Sequence, residues 1–127
     1  MKRIFITPGK CDGCKNCSIA CMEAHRRDGG QGVYTLNLLD PENISRNRII
    51  ANPNGGYDPI FCRHCDDPDC AAACMSGALQ KNMETGLVEY DESKCAACYM
   101  CVMNCRYGVP AISPDRKRMI KCDFCQH

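Results

Sequence analysis

Apolar residues along this chain come in short runs separated by turn signals, and the runs predict short strands and turns between groups of cysteines. Arg3-Ile4-Phe5-Ile6 predicts a strand ahead of the Pro8-Gly9 turn. Leu79-Gln80-Lys81 and Leu87-Val88-Glu89-Tyr90 flank Met83-Glu84-Thr85-Gly86, a hairpin by its length and its glycine. Ala111-Ile112 and Arg118-Met119-Ile120 flank Ser113-Pro114-Asp115 and predict a shorter one. Short helices are expected near Cys17, Cys70 and Cys101, where Ala, Met and Cys dominate and Pro and Gly are absent for several residues. From Cys62 onward the expected order is loop, helical turn, hairpin, then loop, helical turn and strand. That is an internal repeat with approximate two-fold character.

The stretch 22–60 breaks this rhythm and carries no cysteine beyond Cys21 at its edge. It holds Gly29-Gly30-Gln31-Gly32, a predicted strand Val33-Tyr34-Thr35-Leu36-Asn37-Leu38, a second around Arg48-Ile49-Ile50, and a loop at Asn52-Pro53-Asn54-Gly55-Gly56. We read it as an insertion within one domain covering 1–127. Its plainer role is to shield a metal site from water, and its sharper one is to dock a partner.

Composition changes the picture, because the apolar inventory is thin. Leu, Ile, Val and Phe number 5, 9, 4 and 3, about 17% of the chain, below the roughly 20% that a packed core normally needs. The formal charge of +1 argues against disorder, and 14 cysteines in 127 residues supply the missing cohesion. Something bound to sulfur must replace the core, so the fold is expected to depend on metal. Disulfides would need an oxidising compartment. The opening residues contain no apolar h-region, and no run of about 18 apolar residues offers a membrane span. The expectation is a cytoplasmic, reduced protein with no direct membrane insertion. Bound thiols become thiolates, so two cluster sites would bring the holoprotein to about −3, and nucleic-acid binding is not implied.

The cysteines fall into four groups. Cys11, Cys14, Cys17 and Cys21 are spaced C-x2-C-x2-C-x3-C, and Cys95, Cys98, Cys101 and Cys105 repeat that spacing. Cys62, Cys65, Cys70 and Cys74 read C-x2-C-x4-C-x3-C, and Cys122 and Cys125 form a final C-x2-C. Three cysteines two residues apart wrap three corners of a cubane cluster, and the fourth corner must come from elsewhere. In two-cluster ferredoxins the fourth cysteine of each such run ligates the other cluster. Zinc sites use paired C-x2-C units far apart, often with histidine, which suits Cys122 and Cys125 alone and not the triplets. Radical chemistry on S-adenosylmethionine needs C-x3-C-x2-C, an order absent here, and there is no G-x-G-x-x-G for a flavin or nicotinamide. Thiols at metal spacing are ligands before they are nucleophiles. Several clusters without substrate machinery make an electron carrier rather than an enzyme, with no catalytic residue.

Taken in order, the four groups resemble the four-cluster polyferredoxin family, the electron-transfer subunits of formate dehydrogenases, dimethyl sulfoxide reductase, formate hydrogenlyase and carbon monoxide dehydrogenase. The stretch Lys15-Asn16-Cys17-Ser18-Ile19-Ala20-Cys21-Met22-Glu23-Ala24-His25 looks most like the small soluble subunits serving carbon monoxide dehydrogenase, hydrogenase or formate dehydrogenase. The resemblance implies an α+β fold of tandem ferredoxin-like 4Fe-4S type, with pseudo-two-fold halves and an inserted loop and strand segment. It implies two complete ligand sets, Cys62/Cys65/Cys70/Cys105 and Cys95/Cys98/Cys101/Cys74, and up to four 4Fe-4S clusters. Cys11, Cys14 and Cys17 would then lack a fourth ligand, as would Cys21, Cys122 and Cys125. The fourth motif is read as truncated, with a partner subunit, water or His127 as other ways to complete a site, or a 3Fe-4S or missing cluster. The implied partner is a catalytic oxidoreductase subunit, carbon monoxide dehydrogenase first. A metal-stabilised structural or assembly subunit is the rival role. The chain departs from two-cluster ferredoxins in having Met22, Met75 and Arg106, not Pro, after each fourth cysteine.

Other residues have plainer expected roles. His64, between two ligand cysteines, is expected on the loop surface, and His25 and His127 are candidate ligands or proton carriers. Arg26-Arg27 and Arg116-Lys117-Arg118 read as solvated charge runs that could steer a partner. Met100 and Met103 beside Cys101 suit irregular packing around clusters.

Overall fold

Glycine, proline and cysteine punctuate this chain so often that no element among the described residues exceeds nine residues. The computed structural model describes residues 3–126, so Met1, Lys2 and the reading of His127 as a ligand lie outside the described residues. In chain order the elements are α1 (Asn16–Ala24), a 3-10 turn (Val33–Thr35), β1 (Arg48–Ala51), β2 (Tyr57–Ile60), α2 (Asp69–Ala72), β3 (Leu79–Lys81), β4 (Val88–Tyr90), a 3-10 turn (Glu92–Lys94), α3 (Met100–Asn104), β5 (Ala111–Ile112) and β6 (Met119–Ile120). The architecture is α+β. Its strands form three separate antiparallel hairpins, β1–β2, β3–β4 and β5–β6.

The β3–β4 hairpin forms where the alternation of its residues places it. Leu79 pairs with Tyr90 and Lys81 with Val88, and Leu79 and Val88 are buried while Gln80 and Glu89 face out. Asn82 builds the turn: its Oδ1 accepts from the Glu84 and Thr85 amides at 2.9 and 3.2 Å, and its carbonyl accepts from Gly86, whose φ is 74°. The short β5–β6 hairpin pairs Ala111 with Ile120 and Ile112 with Met119. Its turn is closed by the buried Ser113 hydroxyl, which donates to the Arg118 carbonyl at 2.9 Å and accepts from the Arg118 amide at 3.2 Å. Leu79, Val88, Cys101 and Met119 form the apolar core, with Cys70, Ala71, Cys74, Tyr90 and Val102 packed against it. Three of these nine are cysteines that the sequence marks as ligands.

Three expectations fail. Arg3–Ile6 is not a strand: it pairs with nothing among the described residues, and Phe5 stays 92% exposed. An apolar run becomes a strand only when a neighbouring edge accepts its backbone groups. Val33–Leu38 is not a strand either, because Arg26 captures it. The Arg26 guanidinium donates to both carboxylate oxygens of Asp28 at 2.6 and 2.9 Å. It also donates to the Gly32 carbonyl, to Thr35 Oγ1 and to the Thr35 carbonyl at 3.2, 2.9 and 3.0 Å. Those bonds coil the segment into a 3-10 turn. The third failure concerns one arginine in each charge run, since Arg27, Arg116 and Lys117 are exposed as expected. The Arg26 side chain is 6% exposed, and Arg118 is buried between Glu92 (2.9 Å) and Glu42 (3.6 Å).

The strand around Arg48 does form, and its partner β2 was not expected. Pro59 sits opposite Ile49. A two-stranded ribbon tolerates proline because one side of each strand has no ladder to serve. Arg46 ties this segment to the chain's last described turn, donating to the Lys121 carbonyl at 3.0 Å and to Asp123 Oδ2 at 2.8 Å.

Candidate metal centres

In the first C-x2-C of each of the four groups the residue just before the second cysteine has positive φ: Gly13 at 76°, His64 at 44°, Ala97 at 53° and Phe124 at 57°. Lys15 and Tyr99, both at 60°, repeat at matching places after Cys14 and Cys98. Left-handed residues in such loops turn successive amide N–H groups toward one side, a concavity suited to anions and to iron–sulfur centres. Gly13 adopts this conformation freely, and a Cβ there would meet the Tyr57 ring at 2.7 Å. The non-glycine positions carry a steric cost of about 1–2 kcal/mol each. The third and fourth cysteines of each full group stand four residues apart at a short helix: Cys17 and Cys21 in α1, Cys70 and Cys74 in and after α2, Cys101 and Cys105 in and after α3. That spacing sets them one turn apart on one face.

The fourteen cysteines are unbridged, and most of them converge. Cys65, Cys70 and Cys105 line one cleft of about 250 Å³, together with Asp69, Arg106 and Tyr107. Cys74, Cys95, Cys98 and Cys101 line a second cavity with Leu79, Tyr90 and Met119. Cys21, Cys122 and Cys125 approach one another across the insertion, where the Arg46 amide donates to Cys21 Sγ at 3.2 Å. Beside them, ligand atoms of His25, Asp123 and Cys125 lie within 4.8 Å of one another, and His25 Nε2 is 2.8 Å from Asp123 Oδ1. Cys11, Cys14 and Cys17 line neither cavity, and Cys14 and Cys17 are exposed.

The thiols are poised for a cation. Burial pushes Cys70 up to about 11, with Lys121 opposing and Cys62 and Cys105 adding to the rise. Burial also raises Cys21, Cys101, Cys122 and Cys125. Cys74 alone moves down: burial still opposes its thiolate, but the Ser76 hydroxyl and the Leu79, Ser76 and Ala78 amides outweigh it. Neutral thiols crowded in a half-buried space become thiolates once positive charge enters among them.

Two lysines and a histidine escape recognition in the sequence, because hydrophobic patterns count them as surface. Lys81 Nζ donates to the His64, Cys65 and Gly86 carbonyls at 3.0, 2.9 and 2.8 Å, and Lys121 Nζ to the Val88 and Cys122 carbonyls at 2.8 and 2.9 Å. Each ammonium thereby pins a cysteine loop to the β3–β4 hairpin. His64 is not on the loop surface as expected but is 4% exposed. Its Nδ1 accepts from the Val88 amide at 3.0 Å, and its ring stacks on Phe124 with centroids 4.5 Å apart. Burial, aided by Lys121 and Lys81, pushes its pKa down to about 3.

Thiols gathered from separate segments, loops shaped for an anionic guest and ammonium groups nearby fit a cubane cluster held by four thiolates. Residues 54–127 match the family described as the 4Fe-4S dicluster domain, and the chain belongs to that family. Its cofactors are 4Fe-4S clusters. The chain is 35% identical, over 95% of its length, to the probable anaerobic dimethyl sulfoxide reductase chain YnfG of Escherichia coli, and spans 60% of that protein. It is 34% identical over 96% of its length to the polyferredoxin-like subunit of the aliphatic sulfonate oxidoreductase of Pyrococcus furiosus, spanning 64% of it. Over its whole length it is 32% identical to the putative electron transport protein YsaA of Escherichia coli, spanning 78% of it. No helix among the described residues is long and apolar enough to cross a membrane.

Proposed function

We propose that this chain relays single electrons between a catalytic oxidoreductase subunit and a second redox partner, in the reducing environment of the cytoplasm. When bound, each 4Fe-4S cluster accepts and releases one electron. Cys62, Cys65, Cys70 and Cys105 hold one cluster, and Cys95, Cys98, Cys101 and Cys74 hold the next, in two pseudo-symmetric halves. Cys11, Cys14 and Cys17 form part of a third site and Cys21, Cys122 and Cys125 part of a fourth, each needing a ligand beyond these fourteen.

The convergence of cysteines from neighbouring groups on shared cavities is the observation that supports this reading. Cys105 shares a cleft with Cys65 and Cys70, and Cys74 shares a cavity with the Cys95 group. Exchanged ligands bring two sites close together and make each helix a strut between them. Seven of these eight ligands are buried or half-buried and Cys98 is exposed, so the surrounding loops partly shield the two clusters from water. The stretch Lys15–His25 favours carbon monoxide dehydrogenase as the partner, with formate dehydrogenase and hydrogenase as alternatives.

Iron and acid-labile sulfide per chain, measured on anaerobically purified protein, test the reading together with two variants. Cys105→Ser should remove about four irons and leave the Cys95-group cluster reducible, and Cys74→Ser should do the converse. Dithionite should generate cluster signals that the partner's substrate also generates. Colourless protein loaded with zinc, or cysteine variants that lose iron from the wrong site, would overturn it.

A further inference from the structure

The cavity lined by Cys74, Cys95, Cys98 and Cys101 holds one polar side chain that the relay reading leaves without a task. Tyr90 ends β4, and its ring packs against the Leu79, Val88, Cys101 and Met119 core while also lining the cavity. Its hydroxyl oxygen is buried and completes no hydrogen bond among the described residues. A buried donor left unsatisfied costs about 1–3 kcal/mol, so such a group normally marks a missing acceptor. The cavity's other two hydroxyls already have partners: the Ser76 hydroxyl lies 3.6 Å from Cys74 Sγ, and the Tyr99 hydroxyl donates to the Arg116 carbonyl.

We propose that Tyr90 donates its phenolic O–H to a sulfur of the cluster held by Cys74, Cys95, Cys98 and Cys101, and so raises that cluster's reduction potential. This rests on the ligand set proposed above. Four thiolates around a core of charge +2 give a site of charge −2, and the added electron makes it −3. A donor to sulfur stabilises the more negative state more strongly, so reduction becomes easier. Tyr90 differs in this from Lys81, whose ammonium gives all three N–H groups to carbonyls, and from Lys121, whose ammonium gives two to carbonyls. Their charge acts at a distance, whereas the Tyr90 bond is local to one cluster.

Tyr90→Phe deletes the hydroxyl and keeps the ring. In the full-length, cluster-loaded chain, an EPR-monitored redox titration should show one cluster about tenfold harder to reduce, about 59 mV lower for one electron, with the others unmoved. The reduced wild-type protein in D2O should show a deuteron hyperfine coupling at that cluster that disappears in Tyr90→Phe. Should Tyr90→Phe lose the cluster, the coupling to ring-labelled tyrosine in Tyr99→Phe, which leaves Tyr90 the one tyrosine lining the cavity, decides alone. Unchanged potentials with an unchanged deuteron coupling would overturn the hydrogen bond while sparing the ligand set. If Cys98→Ser leaves iron content and every cluster signal intact, the ligand set itself fails and this proposal falls with it.

Discussion

Residues 62–121 and residues 3–60 hold themselves together by different means. The later region has an apolar core of Leu79, Val88, Cys101 and Met119, and two ammonium groups, Lys121 buried and Lys81 half-buried, that staple cysteine loops to the β3–β4 hairpin. The earlier region has a single buried apolar side chain among the described residues, Leu36, and relies on polar hubs such as Arg26 and the Asn43 amide bonded to the Asn37 carbonyl. Cys74, Cys95, Cys98 and Cys101 share a cavity in the later region, with Cys98 exposed at its edge, whereas Cys14 and Cys17 are exposed and line neither cysteine cavity in the earlier one. Yet Gly13 and Ala97 adopt the same left-handed turn at the same motif position. The cysteine loop is thus a unit whose shape does not depend on which kind of support surrounds it. What differs is how much of the fold would outlast its guest.

The largest effect should follow removal of iron, which tests whether that difference matters. A core of four residues and hairpins of three-residue strands cannot offset the conformational entropy of the chain. Anaerobic chelation of the holoprotein should abolish amide protection across residues 3–60. Residues 79–90 should retain only marginal protection, because an isolated hairpin is marginal in water. Hydrogen exchange before and after chelation is the measurement. Retention of native protection at Leu79 and Val88 would mean the later region folds on its side chains alone.

Leu79→Ala comes next in size. Leu79 is 3% exposed at the centre of the core, so truncation should cost about 2–5 kcal/mol, read as a lower denaturant midpoint for loss of the visible cluster absorbance. Leu39, 92% exposed in the earlier region, should tolerate alanine within about 0.5 kcal/mol. Equal sensitivity at the two positions would erase the contrast.

The loop geometry predicts a smaller pair of opposed effects. Ala97→Gly relieves a left-handed Cβ and should stabilise the loaded protein by about 1 kcal/mol, less the entropy that glycine gives the unfolded chain. Gly13→Ala adds that strain and a contact of 2.7 Å with Tyr57, and should cost about 1–2 kcal/mol. Tyr57 is 40% exposed, so its ring has room to shift and the cost stays at that level. Both are read from the same denaturant midpoint.

This contrast also explains what could be read from residues alone. The β3–β4 and β5–β6 hairpins and the helices near Cys17, Cys70 and Cys101 were legible because turn residues, alternation and cysteine spacing act over a few positions. The neighbourhoods of Cys74 and Cys105 follow from the family resemblance. The earlier region resisted because side-chain bonds to backbone groups six to nine residues away decide its course. Nothing local in Val33–Leu38 announces that Arg26 will claim its carbonyls, and the apolar run at Ile4–Ile6 gives no sign that it lacks a partner edge. Lys81, Lys121 and His64 were missed for a related reason. Periodicity ranks them by side-chain polarity, whereas their burial is set by which carbonyls and amides need partners nearby.

The smallest effect should be confined to the insertion, and it isolates the polar hub from the metal. Arg26→Ala removes five hydrogen bonds to Asp28, Gly32 and Thr35 at once. Cluster content and the denaturant midpoint should stay near wild type, because none of these partners lines the cysteine cavities. Amides of residues 28–36 should exchange faster, and the segment should become the first site of limited proteolysis. Arg26→Lys should not restore protection, since an ammonium cannot replace the planar guanidinium that engages the carboxylate and two carbonyls together. Rescue by lysine would show that charge toward Asp28 suffices. Loss of iron in either variant would show that the insertion supports the cluster sites directly, and the two regions would then have to be treated as one cooperative unit.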